Sequence, residues 1–377
     1  MTAETQAVAT DVDPAFLEQV RAFVGLGTDR AGFDAPAAVS LAQIRQMTQA
    51  VGDRNPIYAD EAAARATVHG GVVAPPLWLY SWMMPGLTLQ TEEGVLADGT
   101  RYFHNAATGQ RRTGAVQPTV RDEMNALLES RGFSSPVVTD TSYTFERYLR
   151  PGEWPRFSSW IVDEVVGPKT TKVGVGFFVS LRLEVYVGDE CVATIKQRYL
   201  RARPNPAGAT AAVDAQVPRM AAPADVMPEV ASWRQAPAPL TREFAQIRVG
   251  EQLPELLVKV SPTLVIAGAI ASQDYQDVHH DFLYIRHRGH PTVFMNMMTV
   301  SGLVGRFVTD WSGPDCIIRA HTLRLGRPNY AGDTLRLAAR VASTEVVDGR
   351  RCATVEFTGQ NSLGRAIDGN VVVEFPR

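Results

Sequence analysis

The chain has 377 residues, of which 45% are hydrophobic and 20% charged, and its formal net charge is −3 at neutral pH. That length exceeds what one hydrophobic core usually serves and implies two domains of ordinary size, while the charge balance lacks the basic excess that nucleic-acid binding requires. Cys191, Cys316 and Cys352 are far apart and odd in number, which argues against a disulfide framework or a CxxC zinc site and fits a reducing cytoplasm.

In chain order, the N-terminal MTAETQAVATDVD has neither a basic region nor an apolar core, and no apolar run reaches the roughly 18 residues of a membrane span, so export and membrane insertion are not expected. Asp13 as cap, Pro14 at the first helical position and Gly25 as stop predict a helix over PAFLEQVRAFV. Ser40 caps a second, LAQIRQMTQAV, whose Leu41, Ile44, Met47 and Val51 recur at helical spacing before Gly52 ends it. VVAPPLWLYSWMM reads as a buried helix. A polar, glycine-containing stretch then covers 90–136, YLRPGE spans 148–153, and alternating strand sequence such as TKVGVGFFVSLRLEVYV follows.

From Pro204 to Pro239 the composition is rich in alanine and proline, as expected of a linker. It divides the chain into units 1–203 and 240–377. In the second unit Ser261 and Pro262 repeat the cap-plus-proline signal ahead of TLVIAGAIA, and VFMNMMTVSGLVGRFV reads as another buried helix. LGRPNYAGD then precedes the strand sequence DTLRLAARVAST.

The two units repeat one another. VGDRNPIYAD (51–60) and SQDYQDVHHD (272–281) each follow a helix and each set an aspartate five positions before a ring, Asp53 before Tyr58 and Asp274 before His279. Pro75 and Asn296 each stand 22 residues after the leading aspartate, at the start of the buried helix. Arg150 follows Asp53 by 97 residues whereas Arg327 follows Asp274 by 53, so the first unit carries 44 extra residues, placed in the stretch 90–136.

These motifs resemble the MaoC-like, R-specific enoyl-CoA hydratases of the hot-dog fold, whose signature runs G-D-x-N-P-I-H-x-D. The first copy, GDRNPIYAD, has tyrosine at the histidine position; the second, QDYQDVHHD, keeps the aspartate and histidine but not Gly, Asn and Pro. The stretches APPLWL, FERYLRPGEWPRFSSWI and TVSGLVGRFVTDWSGPD look most like the actinobacterial members acting on steroid side-chain thioesters. The resemblance implies an α+β tandem, or double, hot-dog fold, each unit an antiparallel sheet wrapped around a long central helix. It implies reversible addition of water to a trans-2-enoyl-CoA, an acyl-CoA partner, a homodimer of double hot-dog chains, and no metal or other cofactor. A hot-dog thioesterase and a non-catalytic acyl-CoA-binding subunit are the alternatives.

The chemistry itself asks for a base that takes a proton from water as oxygen attacks C3, and for an acid that protonates C2. An imidazole with an ordinary pKa near 6.5 and a water-orienting carboxylate meet that need, which by the resemblance assigns Asp274 and His279. The developing enolate needs donors of the kind a helix N-terminus provides, so the amide of Asn296, where the family usually has glycine, is the candidate. Arg286 and Arg288 are candidates for the CoA phosphates. His280, His287 and His290 read as loop residues rather than as zinc ligands, because no compact ligand spacing accompanies them. In the first unit Tyr58 replaces the base and Pro75 and Pro76 have no N–H to donate, so that copy is expected to be silent.

Overall fold

The computed structural model describes residues 12–27, 32–84, 86, 91–95, 101–105, 111–113, 120–171, 174–204, 241–287 and 289–376. Its helices are α1 (Pro14–Arg21), α2 (Leu41–Val51), α3 (Glu61–Arg65), α4 (Val120–Glu129), α5 (Pro262–Ser272), α6 (Phe282–His287) and α7 (Met297–Ser312). The strands are β1 (Phe33–Asp34), β2 (Thr91–Val95), β3 (Arg101–Asn105), β4 (Arg111–Thr113), β5 (Ser135–Phe145), β6 (Arg156–Phe157) and β7 (Ile161–Thr171). They continue with β8 (Gly174–Val187), β9 (Glu190–Pro204), β10 (Leu256–Lys259), β11 (Ile317–Leu325), β12 (Thr334–Val347), β13 (Arg350–Asn361) and β14 (Gly364–Glu374).

The helix starts follow their capping residues. Asp13 accepts from the Ala15 amide at 3.0 Å, Ser40 from Gln43 at 3.1 Å and Ser261 from Leu264 at 3.0 Å, each satisfying an amide that the first turn leaves unpaired. α1 ends at Arg21, short of the expected Val24, and the chain passes through turns to Gly25 at φ +88°. α2 ends as expected at Gly52, φ +68°, and buries Ile44, Met47 and Val51, but Leu41 in its first turn is 58% exposed and lies outside the core.

The main sheet runs β1-β6-β8-β9-β5-β11-β14-β13-β12-β10, with β7 paired to β8 off this path. Its two halves join where β5 pairs antiparallel with β11, through contacts such as Tyr143 with His321 and Thr141 with Leu323. One face of β12 carries the buried row Leu335, Leu337, Ala339 and Val341, as its two-residue alternation predicts.

The helical parts repeat at a constant offset of 221 residues. α2 recurs as α5, and the short 3₁₀ turn Pro56–Tyr58 recurs as Asp277–His279. Asp60 caps α3 by accepting from Ala62 and Ala63, and Asp281 accepts in the same way from Leu283 and Tyr284 at the start of α6.

The central helices break the symmetry. α7 is 16 residues long and almost wholly buried, whereas the helix expected over VVAPPLWLYSWMM is a 3₁₀ helix of eight residues, Pro76–Met83. Proline is compatible with its first turn, and Pro85 in the sequence cannot continue it because it lacks the N–H and disfavours helix at the residue before. The two helices touch closely. A Cβ at Gly302 would lie 2.2 Å from Trp78 Nε1, and one at Gly305 would lie 3.5 Å from the Leu77 side chain.

The extra stretch includes the three-stranded sheet β2-β3-β4 and α4, the latter tied to the main sheet by Arg201, which donates to Glu129 at 2.5 Å. Of the expected linker only Pro204, at the end of β9, is among the described residues.

Candidate active site

Asp274 stands just beyond α5, placed there by Gln273, which takes the left-handed conformation (φ +59°) that Gly52 takes after α2. Its amide donates to Ala269 O at 2.9 Å, and its side chain turns inward, 5% exposed. Oδ2 accepts from Asn296 Nδ2 at 3.2 Å and lies 3.4 Å from His279 Nε2. Oδ1 is buried without a hydrogen-bond partner among the described residues.

His279 closes the 3₁₀ turn and is 6% exposed at its side chain. Its Nδ1 lies 2.8 Å from the carbonyl oxygen of Phe294. A carbonyl only accepts, so Nδ1 carries the proton, and in the neutral ring Nε2 is left as a bare acceptor facing the carboxylate. Phe294 also packs edge-on against the imidazole at 5.3 Å. Two acceptors thus converge in a buried corner. A proton donor between them, such as a water molecule, or a proton on the imidazole itself is what satisfies both.

Asn296 caps α7 and holds this corner together. Its Oδ1 accepts from the amide and hydroxyl of Thr299 at 2.8 and 2.6 Å, and its Nδ2 donates to Ser272 Oγ at 2.7 Å as well as to Asp274. Ser272 and Thr299 escape a reading by motif alone, because each lies outside the aspartate-to-histidine motif, at the last position of α5 and in the first turn of α7. The Asn-x-x-Thr spacing is that of a helix cap bonding forward to its third residue.

The other expected site residues lie apart from this corner. Arg286 is exposed in the last turn of α6, and Arg288 lies outside the described residues. His280 Nε2 donates to Tyr275 O at 2.9 Å, His290 bonds the Tyr330 hydroxyl at 2.7 Å, and His287 is exposed. Among the described residues no group of three or more His, Cys, Asp or Glu side chains is arranged to hold a metal ion.

The corresponding corner of the first half is built differently. Asp53 Oδ1 accepts from the Asn55 amide at 2.9 Å, and burial pushes its carboxyl up to about 7 despite that bond, with Asp310 raising it further and Arg306 opposing. Tyr58 is buried and its phenol is held well above the ordinary range by desolvation, so it stays protonated at neutral pH and is no base. From α7, Arg306 donates to Val51 O at 2.7 Å and to Asp310 at 3.4 Å, filling the space at the end of α2. His69, whose ring bonds Cys316 O at 3.3 Å, is desolvated and lowered to about 4, a neutral ring in a structural role.

Arg306 corresponds by the 221-residue offset to Pro85, where the first-half helix has already stopped. Among the described residues no counterpart of Arg306 stands at the end of α5. Instead an open groove of about 440 Å³ is lined by Gln43 of α2, Ser81, Trp82 and Met84, and by Gln273 and Tyr275, the two sequence neighbours of Asp274.

A family model described as FAS1-like, dehydratase domain region, matches residues 27–195. The beta subunit of 3-oxo-4,17-pregnadiene-20-carboxyl-CoA hydratase from Mycobacterium tuberculosis is 43% identical over 123 residues, covering 33% of this chain and 92% of that subunit. This chain belongs to the MaoC-like hydratase and dehydratase family. The alpha subunit of the same mycobacterial hydratase is 36% identical to this MaoC-like chain over 166 residues, which make up 44% of the chain but only 45% of that subunit. A solved MaoC-like dehydratase aligns over 94% of the chain and 99% of its own length with a TM-score of 0.63 at 18% identity, which supports the α+β double hot-dog fold. Among the described residues no helix is long and apolar enough to cross a membrane.

Proposed function

We propose that the chain catalyses reversible addition of water to a trans-2-enoyl-CoA thioester, giving a 3-hydroxyacyl-CoA, with a bulky acyl group such as a steroid side chain. The observation that carries this reading is the convergence of His279 Nε2 and the Asp274 carboxylate in a buried corner. His279, its other nitrogen committed to Phe294 O, takes a proton from water as the oxygen attacks C3. Asp274 accepts the water's second hydrogen bond and keeps the lone pair aimed at carbon. The proton held on the imidazole then returns to C2, so the step is a net addition of one water with no change of oxidation state and no cofactor.

The enolate oxygen is served by the amide of Asn296 and the first free N–H groups of α7, whose positive dipole end favours developing negative charge. Asn296 acts in this scheme through its backbone, because its side chain is fully occupied. Arg286 and Arg288 are the candidates for the CoA phosphates in this scheme.

Support for a bulky acyl group comes from the open groove beside Asp274 and from similarity to both subunits of a hydratase whose name specifies a steroid-derived thioester. In this reading the single chain combines what the two subunits contribute separately, the first half shaping the groove and the second doing the chemistry in the cytoplasm. A homodimer belongs to the same reading, and light scattering at twice the 41.1 kDa chain mass tests it.

The decisive assay presents purified protein with a panel of enoyl-CoA thioesters and follows loss of the conjugated-thioester absorbance together with a mass gain of one water. Release of free thiol without hydration would move the chain to the thioesterases. Faster turnover of crotonyl-CoA than of polycyclic thioesters would remove the bulky-substrate assignment.

A further inference from the structure

The hydrogen bond that leaves His279 Nε2 bare depends on where the carbonyl of Phe294 lies, and Phe294 belongs neither to a helix nor to a continuous strand. It forms an isolated antiparallel bridge with Tyr330, flanked by Ala331 N donating to Val293 O at 2.9 Å and Met295 N donating to Asn329 O at 3.0 Å. Its own amide reaches the motif turn, at Val278 O, only at 3.5 Å, the outer limit of a hydrogen bond. The short segment therefore takes its path from the chain around Tyr330.

Side chains reinforce that bridge. Tyr330 is fully buried, and its hydroxyl lies 2.7 Å from Nδ1 of His290, at the entry to the segment. Burial holds the phenol above its ordinary range, with Arg327 opposing, so at neutral pH it donates to a bare Nδ1, and it can accept in turn from a protonated one. The bond holds in either charge state of His290. The Phe294 ring packs against all three rings, 5.8 Å from Tyr330, 5.4 Å from His290 and 5.3 Å from His279.

The first half offers a comparison. At the 221-residue offset His290 corresponds to His69, whose ring bonds Cys316 O and stacks on Tyr148. At the 177-residue offset that relates Arg150 to Arg327, Tyr330 corresponds to Glu153, which pairs with Arg147. Of the two halves, the one whose motif carries a histidine to orient is the one in which these positions form an imidazole–phenol bond.

We infer that His290 and Tyr330 are positioning residues for His279: their side-chain bond fixes the path of Val293–Met295, and through it the Phe294 carbonyl that sets the His279 tautomer. The inference rests on the hydratase reading for its effect on turnover, whereas the tautomer is a property of the protein alone. Neither residue touches the reacting atoms. Their contribution is to keep Nδ1 protonated and Nε2 aimed at the Asp274 carboxylate.

Nitrogen-15 labelling of the histidines in the full chain reads the tautomer by NMR, and wild-type His279 is expected as the Nδ1–H form. Tyr330→Phe, which keeps the ring and removes the hydroxyl, and His290→Ala should each shift the His279 nitrogen resonances towards a mixture of tautomers. On the best thioester of the panel both should lower kcat about tenfold and leave KM within about twofold, because a misplaced base costs rate rather than binding. The double variant should be no slower than the slower single one, as for two residues acting as a unit. His290→Asn sets an amide group where Nδ1 stood, able to bond the phenol, and should restore most of kcat. Circular dichroism checks that each variant is folded, and if Tyr330→Phe does not fold, His290→Ala against His290→Asn decides. Variants that keep the wild-type His279 tautomer or the wild-type kcat, or His290→Asn as slow as His290→Ala, overturn the inference. The expected resonance shifts in a protein that hydrates none of the thioesters would leave the positioning role standing and count against the hydratase reading instead.

Discussion

At the scale of single residues, the two copies of one motif differ in whether an acceptor lone pair faces the aspartate. Phe294 O fixes the His279 tautomer and leaves Nε2 bare, whereas Tyr58 presents a phenol that burial keeps protonated. Asp274→Asn or His279→Ala should therefore lower kcat by at least about a hundredfold with little change in melting temperature, measured on the best substrate of the panel. Asp53→Asn should leave kcat within a few-fold of wild type. Its effect belongs to stability. The folded carboxyl, raised to about 7, exceeds its ordinary value of 3.8, so the fold favours the protonated form. The stabilisation is present in full below about pH 4 and is lost as pH rises through 7. Asparagine can still accept from the Asn55 amide, so Asp53→Asn should melt higher than wild type at pH 8 and the gap should close towards pH 5. A melting curve for Asp53→Asn that falls below wild type at pH 8 would refute the assignment of a half-buried, unfavourable charge.

At the scale of elements, α7 is the part on which site and fold both depend. Its cap, Asn296, ties α5, Asp274 and the first turn of α7 together through four hydrogen bonds. Asn296→Ala should cost about 1–2 kcal/mol for the cap and leave Ser272 and Asp274 short of a donor, so both the urea midpoint and kcat should fall. Asn296→Asp keeps the forward bond to Thr299 but sets a second carboxylate against Asp274, and should lose activity while retaining more of the stability. Farther along, Gly302 is needed for close approach to Trp78. A methyl group there would sit 2.2 Å from the indole, so Gly302→Ala should destabilise by roughly 1–3 kcal/mol through forced repacking between the two halves.

At the scale of the whole molecule, the halves share one sheet through β5 and β11 and one buried contact between their central helices. Neither half has a closed surface alone. A fragment spanning 241–377 would expose the β11 edge and the α7 face that Leu77 and Trp78 cover, and is expected to self-associate or aggregate in light scattering rather than run as a monomer. The asymmetry is global too. Arg306 and Asp310 occupy the end of α2, while the 3₁₀ helix beside the groove at the end of α5 stops at Met83, so the two halves differ in how the end of the capped helix is covered.

Much of this organisation is local and was therefore readable in the sequence. The caps Asp13, Ser40 and Ser261 bond amides two or three residues away, and the terminator Gly52 adopts a conformation favoured by its own lack of a Cβ, so helix limits follow from neighbours in the chain. The spacing from Asp53 to Pro75 and from Asp274 to Asn296 likewise survives as the distance from one aspartate to one helix cap. Other features depend on contacts between segments far apart in sequence. The helix expected over VVAPPLWLYSWMM is instead a 3₁₀ helix over Pro76–Met83, and the groove between α2 and Gln273–Tyr275 needed the two halves side by side. The His279 tautomer is set by a carbonyl 15 residues away, and the closing of the first site by Arg306, 255 residues from the Val51 oxygen it bonds. Capping and periodicity act within a turn or two of chain, whereas burial, desolvation and the pairing of lone pairs are decided by whichever distant segment packs against them, and only the tertiary structure supplies that neighbour.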